Sequence, residues 1–461
     1  MIRFLTFFLP LTMTALVFGA VSEFRIDQDS LWLQAEGEPL PVLLERFAAV
    51  GVDVQIDPEI QKPISGSWQG VDLEKALDDL IAPYDYLLDW RRESGPLGSR
   101  TVLSGIRVYR KGFSEEARPL KKSRRIETAI DGKTRYIARE ILIGFGPEAS
   151  IDDLNAFLAR TGGTVIEANE ELGIYRILLP ENVNIPELAD QLANDPTIAL
   201  AEPNYVYDLP ELLSGGSSDS PKQWIPPSDS GELSVAVLDS GLIPDESLSA
   251  ALLSAFDATN PDAPLSTDAV GHGTLMAKIA AGLVDPYNTA VGEGTRVVAV
   301  KAFQDDGSAD SYTLMNAMTH AVEKSSGPVS LSWGTETSSK FIQNAVNYVI
   351  NSGSPVFAAV GNENTGTPMY PAAYPGVVGV AAGTEDGAYT EYSNRGDFVD
   401  IIAPGSVGGS QGTSVATAYV AHVAELYMKH NPGKDPVAAL IEAAGEDRYL
   451  SQDEVRHLLT K

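Results

Sequence analysis

Across residues 224–461, short apolar runs alternate with stretches of helical spacing. The runs "LSVAVLDSG", "TRVVAVKAF", "PVSLSWG", "PVFAAVGN", "VVGVAA" and "DFVDIIAPG" are nearly continuous in Val, Ile and Ala. Such runs predict strands buried on both faces, hence a parallel sheet with helices on either side. In sheets of this kind, sites lie beyond the carboxyl ends of the strands. The tail "DPVAALIEAAGEDRYLSQDEVRHLLTK" reads as two helices packed on the same domain.

Upstream the pattern changes. Over residues 134–208, "YIAREILIGF", "TVIEA", "GIYRILL" and "IALAEPNYVY" read as strands. Ser150, with Asp153 three residues on, opens a first helix, and Asn184, with Glu187, opens a second. The order β-α-β-β-α-β is the ferredoxin-like plan. Residues 23–112 read as a small α+β module. It has the strand "LWLQA", the helix "PLPVLLERFAAVG", the strand "VDVQI", the helix "DLEKALDDLI" and the closing strands "YDYLLDW" and "GIRVYR". It holds no His and no tight cluster of reactive groups, which suits a docking module. Residues 113–133 form a basic linker, read either as solvated chain or as a trypsin-like processing site. Residues 209–223, rich in Gly, Ser and Pro, read as an exposed cleavage loop.

The first 22 residues have one early Arg, an apolar run and the small residues Ala20-Val21-Ser22, the layout of a signal peptide. The alternative is an uncleaved membrane anchor, because a run of about 17 apolar residues is barely long enough to span. Either way the chain is expected to be exported, to the periplasm or beyond.

Composition narrows the chemistry. Lys and Arg number 33 against 63 Asp and Glu, a net charge of −30. That excludes nucleic acid as an expected partner, since phosphate binding needs a basic surface. There is no cysteine and there are only five His, so thiol catalysis, disulfides and thiolate metal sites are excluded.

Three polar residues stand at the special places of the sheet. Asp239 ends "SVAVLD", His272 lies in "GHGTLMAKIAAG" and Ser414 in "GTSVATAYVAHVAELY", each at a strand end or helix start. Singly, each has a plain reading as a turn or cap residue. Together they supply what a serine nucleophile requires: an imidazole base, and a buried carboxylate to fix its tautomer. Asn362, after Gly361 and a buried strand, and the backbone N–H of Ser414 are candidate donors to an oxyanion.

"VAVLDSG", "GHGTLMAKIAAG", "AAVGN" and "GTSVAT" resemble the subtilisin-like serine proteases, the subtilase family, in type and in the order Asp, His, Ser. The resemblance implies a serine endopeptidase in which Ser414 attacks, His272 moves the proton, Asp239 orients it and Asn362 donates to the oxyanion. It implies that Ser332, Trp333 and Gly334 form one wall of the substrate cleft and Ala359, Val360 and Gly361 the other. Trp333 is read either as an altered pocket wall or as a surface tryptophan. "GIYRILLPENVNIPELADQLANDPTIALAEPNYVY" resembles a subtilase propeptide, which implies an intramolecular inhibitor. No cofactor is implied for the chemistry. Calcium sites are common in the family, and "QDDGSAD" (Asp305, Asp306, Asp310) is read either as one or as a solvated loop, with no metal assigned. His422 is read as an ordinary helix residue. The family usually has Pro four residues after the nucleophile, where this chain has Ala418.

Residues 23–112 resemble the short N-terminal domain of secretins and TonB-dependent transducers, through "LQAEGEPLPVLLERFAAVGVDVQIDPEI" and "GVDLEKALDDLIAPYDYLLDW". That implies a protein-contact surface. It leaves open an alternative, an inactive or regulatory subtilase-fold protein acting through that module.

Overall fold

The computed structural model describes residues 24–27, 30–96, 98–120, 125–210, 233–243, 246–261, 268–287 and 294–460. The expected signal peptide, and nearly all of the expected cleavage loop, lie outside them. Among the described residues no helix is long and apolar enough to cross a membrane.

Two units are distinguished. In the first, the alternation in "LWLQA" buries Leu31, Leu33 and Ala35 on one face of the strand Ser30–Pro39. That strand is the centre of an antiparallel sheet with Phe24–Asp27 and Pro63–Asp72. The helices Leu40–Ala49 and Leu73–Ile81 pack on this sheet. Asp72 caps the second helix by accepting from the Lys75 amide at 3.0 Å. A second sheet contains Asp53–Ile56 and Gly98–Tyr109 in parallel. Asp57, at the end of the first of these strands, is wholly buried and paired with Arg110 at 2.7 Å. Within the stretch read as linker, Arg118–Pro119 pairs with Asp53–Ile56, and Ile126–Thr128 pairs with Arg135–Phe145.

The second unit begins with the ferredoxin-like element order. Strands Arg135–Phe145, Thr164–Asn169, Ile174–Leu178 and Ile198–Asp208 form an antiparallel sheet. The helices Ile151–Thr161 and Ile185–Leu192 start where the capping residues place them. Asp153 accepts from the Ser150 amide at 2.8 Å, and Asn184 from the Glu187 amide at 3.3 Å. Ile141, Ile143, Phe157, Tyr175 and Ile177 build its core.

The rest of this unit holds seven parallel strands, ordered Leu252–Asp257, Val297–Lys301, Val235–Asp239, Val329–Leu331, Val356–Ala359, Val377–Gly383 and Ile401–Pro404. Six coincide with the apolar runs. The order reverses beside Val235–Asp239, which is where a doubly wound sheet opens a crevice. Each face of the sheet carries its own buried cluster. The helix Thr413–His430 is buried all round from Thr413 to Tyr427, so it shows no polar stripe. Ala418 sits inside it, and the helix runs on unbroken past that position.

The ferredoxin-like part lies against the sheet domain. Val206–Asp208 pairs antiparallel with the short strand Ser308–Asp310. Just upstream of that pairing, two polar side chains reach helix starts of the sheet domain. Glu202 accepts from Ser339 Oγ at 2.6 Å and from the Lys340 amide at 2.9 Å, at the start of the helix Lys340–Asn351. Asn204 accepts from the Tyr312 amide at 3.1 Å, at the start of Ser311–Lys324. An anion at a helix N-terminus is stabilised by unpaired N–H groups and by the helix dipole. Glu202→Ala should remove about 1–2 kcal/mol from this contact. Amide hydrogen exchange at Lys340 and Phe341 should then rise about tenfold, and unchanged exchange would show that the cap contributes nothing.

Candidate active site

Asp239 is the last residue of a strand whose five positions are all buried. Its backbone is fixed in register with Lys301 and the Val297–Lys301 strand. His272 is the first residue of the helix His272–Ala280. The two side chains meet with Nδ1 to Oδ1 at 2.7 Å, and both are essentially inaccessible to water. Burial works against protonation of His272, but the Asp239 carboxylate outweighs it and Asp268 adds to it. The imidazole pKa is therefore raised above its ordinary value. His272 Nε2 is buried and has no hydrogen-bond partner among the described residues.

The close approach of helix and strand depends on Gly273. A Cβ there would lie 2.4 Å from the Gly241 carbonyl oxygen. Asp268, which the sequence reading passed over, fastens the same junction. Its carboxylate accepts from Ser240 Oγ at 2.7 Å, from the Gly271 amide at 2.8 Å, and from the Thr274 amide and hydroxyl at 2.9 and 2.8 Å. Ser240 is the residue after Asp239, so one buried carboxylate ties the strand end to the helix start. Lys301 Nζ donates to the Ser240 carbonyl at 2.8 Å from the other side.

Ser414 is the second residue of its helix, with Gly412 at the N-cap. Its hydroxyl is therefore not the cap. Oγ donates to the Ser332 carbonyl at 3.4 Å, which places the helix start beside the segment after the Val329–Leu331 strand. Asn362 follows the Val356–Ala359 strand. Its Oδ1 accepts from the Thr413 amide at 2.9 Å and the Thr413 hydroxyl at 3.0 Å. With the carbonyl oxygen taken by Thr413, the donor side of the amide is Nδ2, which lies beside Gly412.

Ser332 and Trp333 are buried, so the surface reading of this tryptophan does not hold. The Trp333 ring packs edge-on against Tyr207, at 5.4 Å between centroids, and lies 6.3 Å from Phe303. Gly334 backs onto Met369 and the Tyr370 carbonyl. Ala359 and Val360 are buried as well, and Gly361 takes a left-handed backbone at φ +100°.

The acidic run is occupied by protein contacts. Lys301 Nζ donates to Asp305 at 3.0 Å, the Ser308 amide to Asp306 at 2.9 Å and the Thr313 amide to Asp310 at 2.9 Å. Among the described residues no group of three or more His, Asp or Glu is placed to hold a metal ion. His422 is a core residue. Its Nδ1 faces Thr295 Oγ1 and the Ala280 carbonyl, and burial pushes its pKa down to about 4.

A buried Asp–His pair, a serine at a neighbouring helix start and an anchored amide donor, at the carboxyl ends of a parallel sheet, define a serine-type endopeptidase. The chain belongs to the subtilase family, which residues 230–461 match. Residues 124–204 match the fervidolysin N-terminal prodomain. A thermophilic serine proteinase of Bacillus sp. (strain AK1) is 27% identical over 340 residues, spanning 68% of this chain and 84% of that one. Thermitase of Thermoactinomyces vulgaris is 30% identical over 253 residues, spanning 52% of this chain and 90% of thermitase. Among solved structures, fervidolysin from Fervidobacterium pennivorans, a keratinolytic enzyme related to subtilisin, aligns with TM-score 0.55 at 19% identity. The alignment covers 72% of this chain and 62% of fervidolysin, and it shows the shared fold.

Proposed function

We propose that this chain is an exported zymogen of a serine endopeptidase, with Asp239, His272 and Ser414 as its triad. Ser414 Oγ attacks the peptide carbonyl while its proton passes to His272 Nε2. Asp239 keeps Nδ1 protonated, so Nε2 is the basic nitrogen, and it stabilises the imidazolium that forms. The Asn362 amide and the Ser414 backbone N–H receive the oxyanion. The imidazolium then gives its proton to the departing amine, leaving an acyl-enzyme that water hydrolyses by the same route. The observation that carries this reading is the 2.7 Å Asp239–His272 contact, with Nε2 left without a partner among the described residues.

Residues 134–208 act as the propeptide and inhibit the site until they are cleaved away. Support comes from their match to a prodomain and from the pairing of Val206–Asp208 with the sheet domain. Ser332–Gly334 and Ala359–Gly361 line the cleft that takes the substrate backbone by strand addition. Residues 23–112 serve as a contact module for a protein partner, a reading supported by the secretin-type pattern in their sequence.

A fluorophosphonate probe tests the site. Added after incubation long enough for self-cleavage, it should modify Ser414 and no other serine, as read by peptide mapping. Modification elsewhere, or none, would sink the assignment.

A further inference from the structure

Asn394 is fully buried, 32 residues beyond Asn362, on a different loop and outside every motif discussed above. Its side chain spends its whole hydrogen-bonding capacity on the loop that carries Asn362. Nδ2 donates to the Val360 carbonyl and to Glu363 Oε2, each at 2.9 Å. Oδ1 accepts from the Glu363 amide at 3.1 Å and the Thr365 amide at 2.9 Å. Its own backbone N–H donates to the Gly361 carbonyl at 3.0 Å. The residues bound are 360, 361, 363 and 365, which bracket Asn362 on both sides.

That loop needs holding. Gly361 is left-handed at φ +100° and Asn364 at φ +53°. Two left-handed residues within four positions give the chain a sharp path that no helix or strand pairing maintains. A Cβ on Gly361 would lie 2.5 Å from Asn394 Nδ2, so the amide fills the space beside that turn. Neighbouring backbone adds to the grip: the Asn364 amide donates to the Tyr392 carbonyl at 2.8 Å and the Arg395 amide to the Thr365 carbonyl at 2.9 Å.

We infer that Asn394 is a positioning residue for the oxyanion donor: it sets the backbone of residues 360–365, and Thr413 then sets the Asn362 side chain. The inference rests on the reading of Asn362 as that donor. Donors of this kind act only when aimed at the place where charge develops, so a displacement of a fraction of an ångström matters. Asn394→Asp keeps the shape and the acceptor but turns the donor into an oxygen facing Glu363 and the Val360 carbonyl. The loop is pushed away while the triad is untouched.

The test is a double-mutant cycle on the full chain after self-cleavage. It compares wild type, Asn362→Ala, Asn394→Asp and the double variant, with active sites counted by fluorophosphonate titration so that unfolded protein drops out. Asn362→Ala should lower kcat per titrated site about 10²–10³-fold. Asn394→Asp should lower it about tenfold or more, with KM within about threefold of wild type. In the Asn362→Ala background, Asn394→Asp should cost less than about threefold, because the group it positions is gone. A full loss in both backgrounds, a loss confined to KM, or no loss at all would overturn the inference. If Asn362→Ala alone leaves kcat unchanged, what fails is the reading of Asn362. Should Asn394→Asp yield no titratable sites, Asn394→Asp combined with Glu363→Gln, which returns a donor to the same contact, enters the cycle under the same criteria.

Discussion

Ser414→Ala should remove turnover of an unfolded protein substrate, with kcat falling on the order of 10⁶-fold. The residual rate comes from substrate binding and the oxyanion donors, which the change leaves in place. The same substitution should stop maturation. Intact mass followed over time on residues 23–461 should show wild type cut between residues 208 and 224 while Ser414→Ala keeps its full mass. Because Gly412 is the N-cap and the Ser414 hydroxyl makes, among the described residues, one long contact to the Ser332 carbonyl, loss of the hydroxyl should leave the helix intact. The melting temperature is therefore expected to stay within a few degrees, since Ser414 is buried but loses one long hydrogen bond, worth about 1 kcal/mol or less. Unchanged turnover would remove Ser414 from the mechanism. Cleavage of both proteins would assign maturation to an outside protease.

Asp239→Asn should lower kcat about 10⁴-fold in a folded protein. An asparagine amide facing Nδ1 turns that nitrogen into an acceptor and places the imidazole proton on Nε2, where the base has to be. A second effect has a definite sign. The carboxylate raises the His272 pKa, and activity requires the neutral ring. In wild type, kcat/KM should therefore fall as pH drops through a value above the ordinary imidazole pKa of about 6.5. In Asp239→Asn the carboxylate is gone while burial remains, so the acid limb should move to lower pH. A pH–rate profile on both proteins checks this. An acid limb that stays put would mean that another group sets it.

The strands of the sheet domain are legible because burial on both faces leaves an unmistakable apolar run. The exceptions are instructive. Leu252–Asp257 follows directly on a helix in "LSAALLSAFD", where Ala and Leu suit either structure. Pro63–Asp72, in the first unit, is written mainly in Gly, Ser and Gln, and its apolar positions are too few to set a period. Ser308–Asp310 reads as a polar loop and becomes a strand only because Val206–Asp208 pairs with it. The site divides in the same way. Asp239, His272, Ser414 and Asn362 are marked locally, each where an apolar strand ends or an apolar helix starts. Asp268 and Asn394 carry no such mark. Their partners lie between 3 and 34 residues away in the sequence, and only the fold shows that they converge. Trp333 shows the limit from the other side: its type suggested a pocket or a surface, and its contacts with Tyr207 and Phe303 come from two distant segments.

Thr413 carries one consequence further. It precedes Ser414 in the helix and also holds Asn362 through two hydrogen bonds. The serine and the amide thus hang from one bracket, and any drift of that helix carries both in the same direction, preserving their spacing. Asp239 and His272 hang from another, riveted through Ser240 and Asp268. On the proposed reading, the two halves of the site are thus fastened separately, each by its own hydrogen bonds. The distance between Ser414 and His272 is set instead by the packing of the helices His272–Ala280 and Thr413–His430 within one buried cluster.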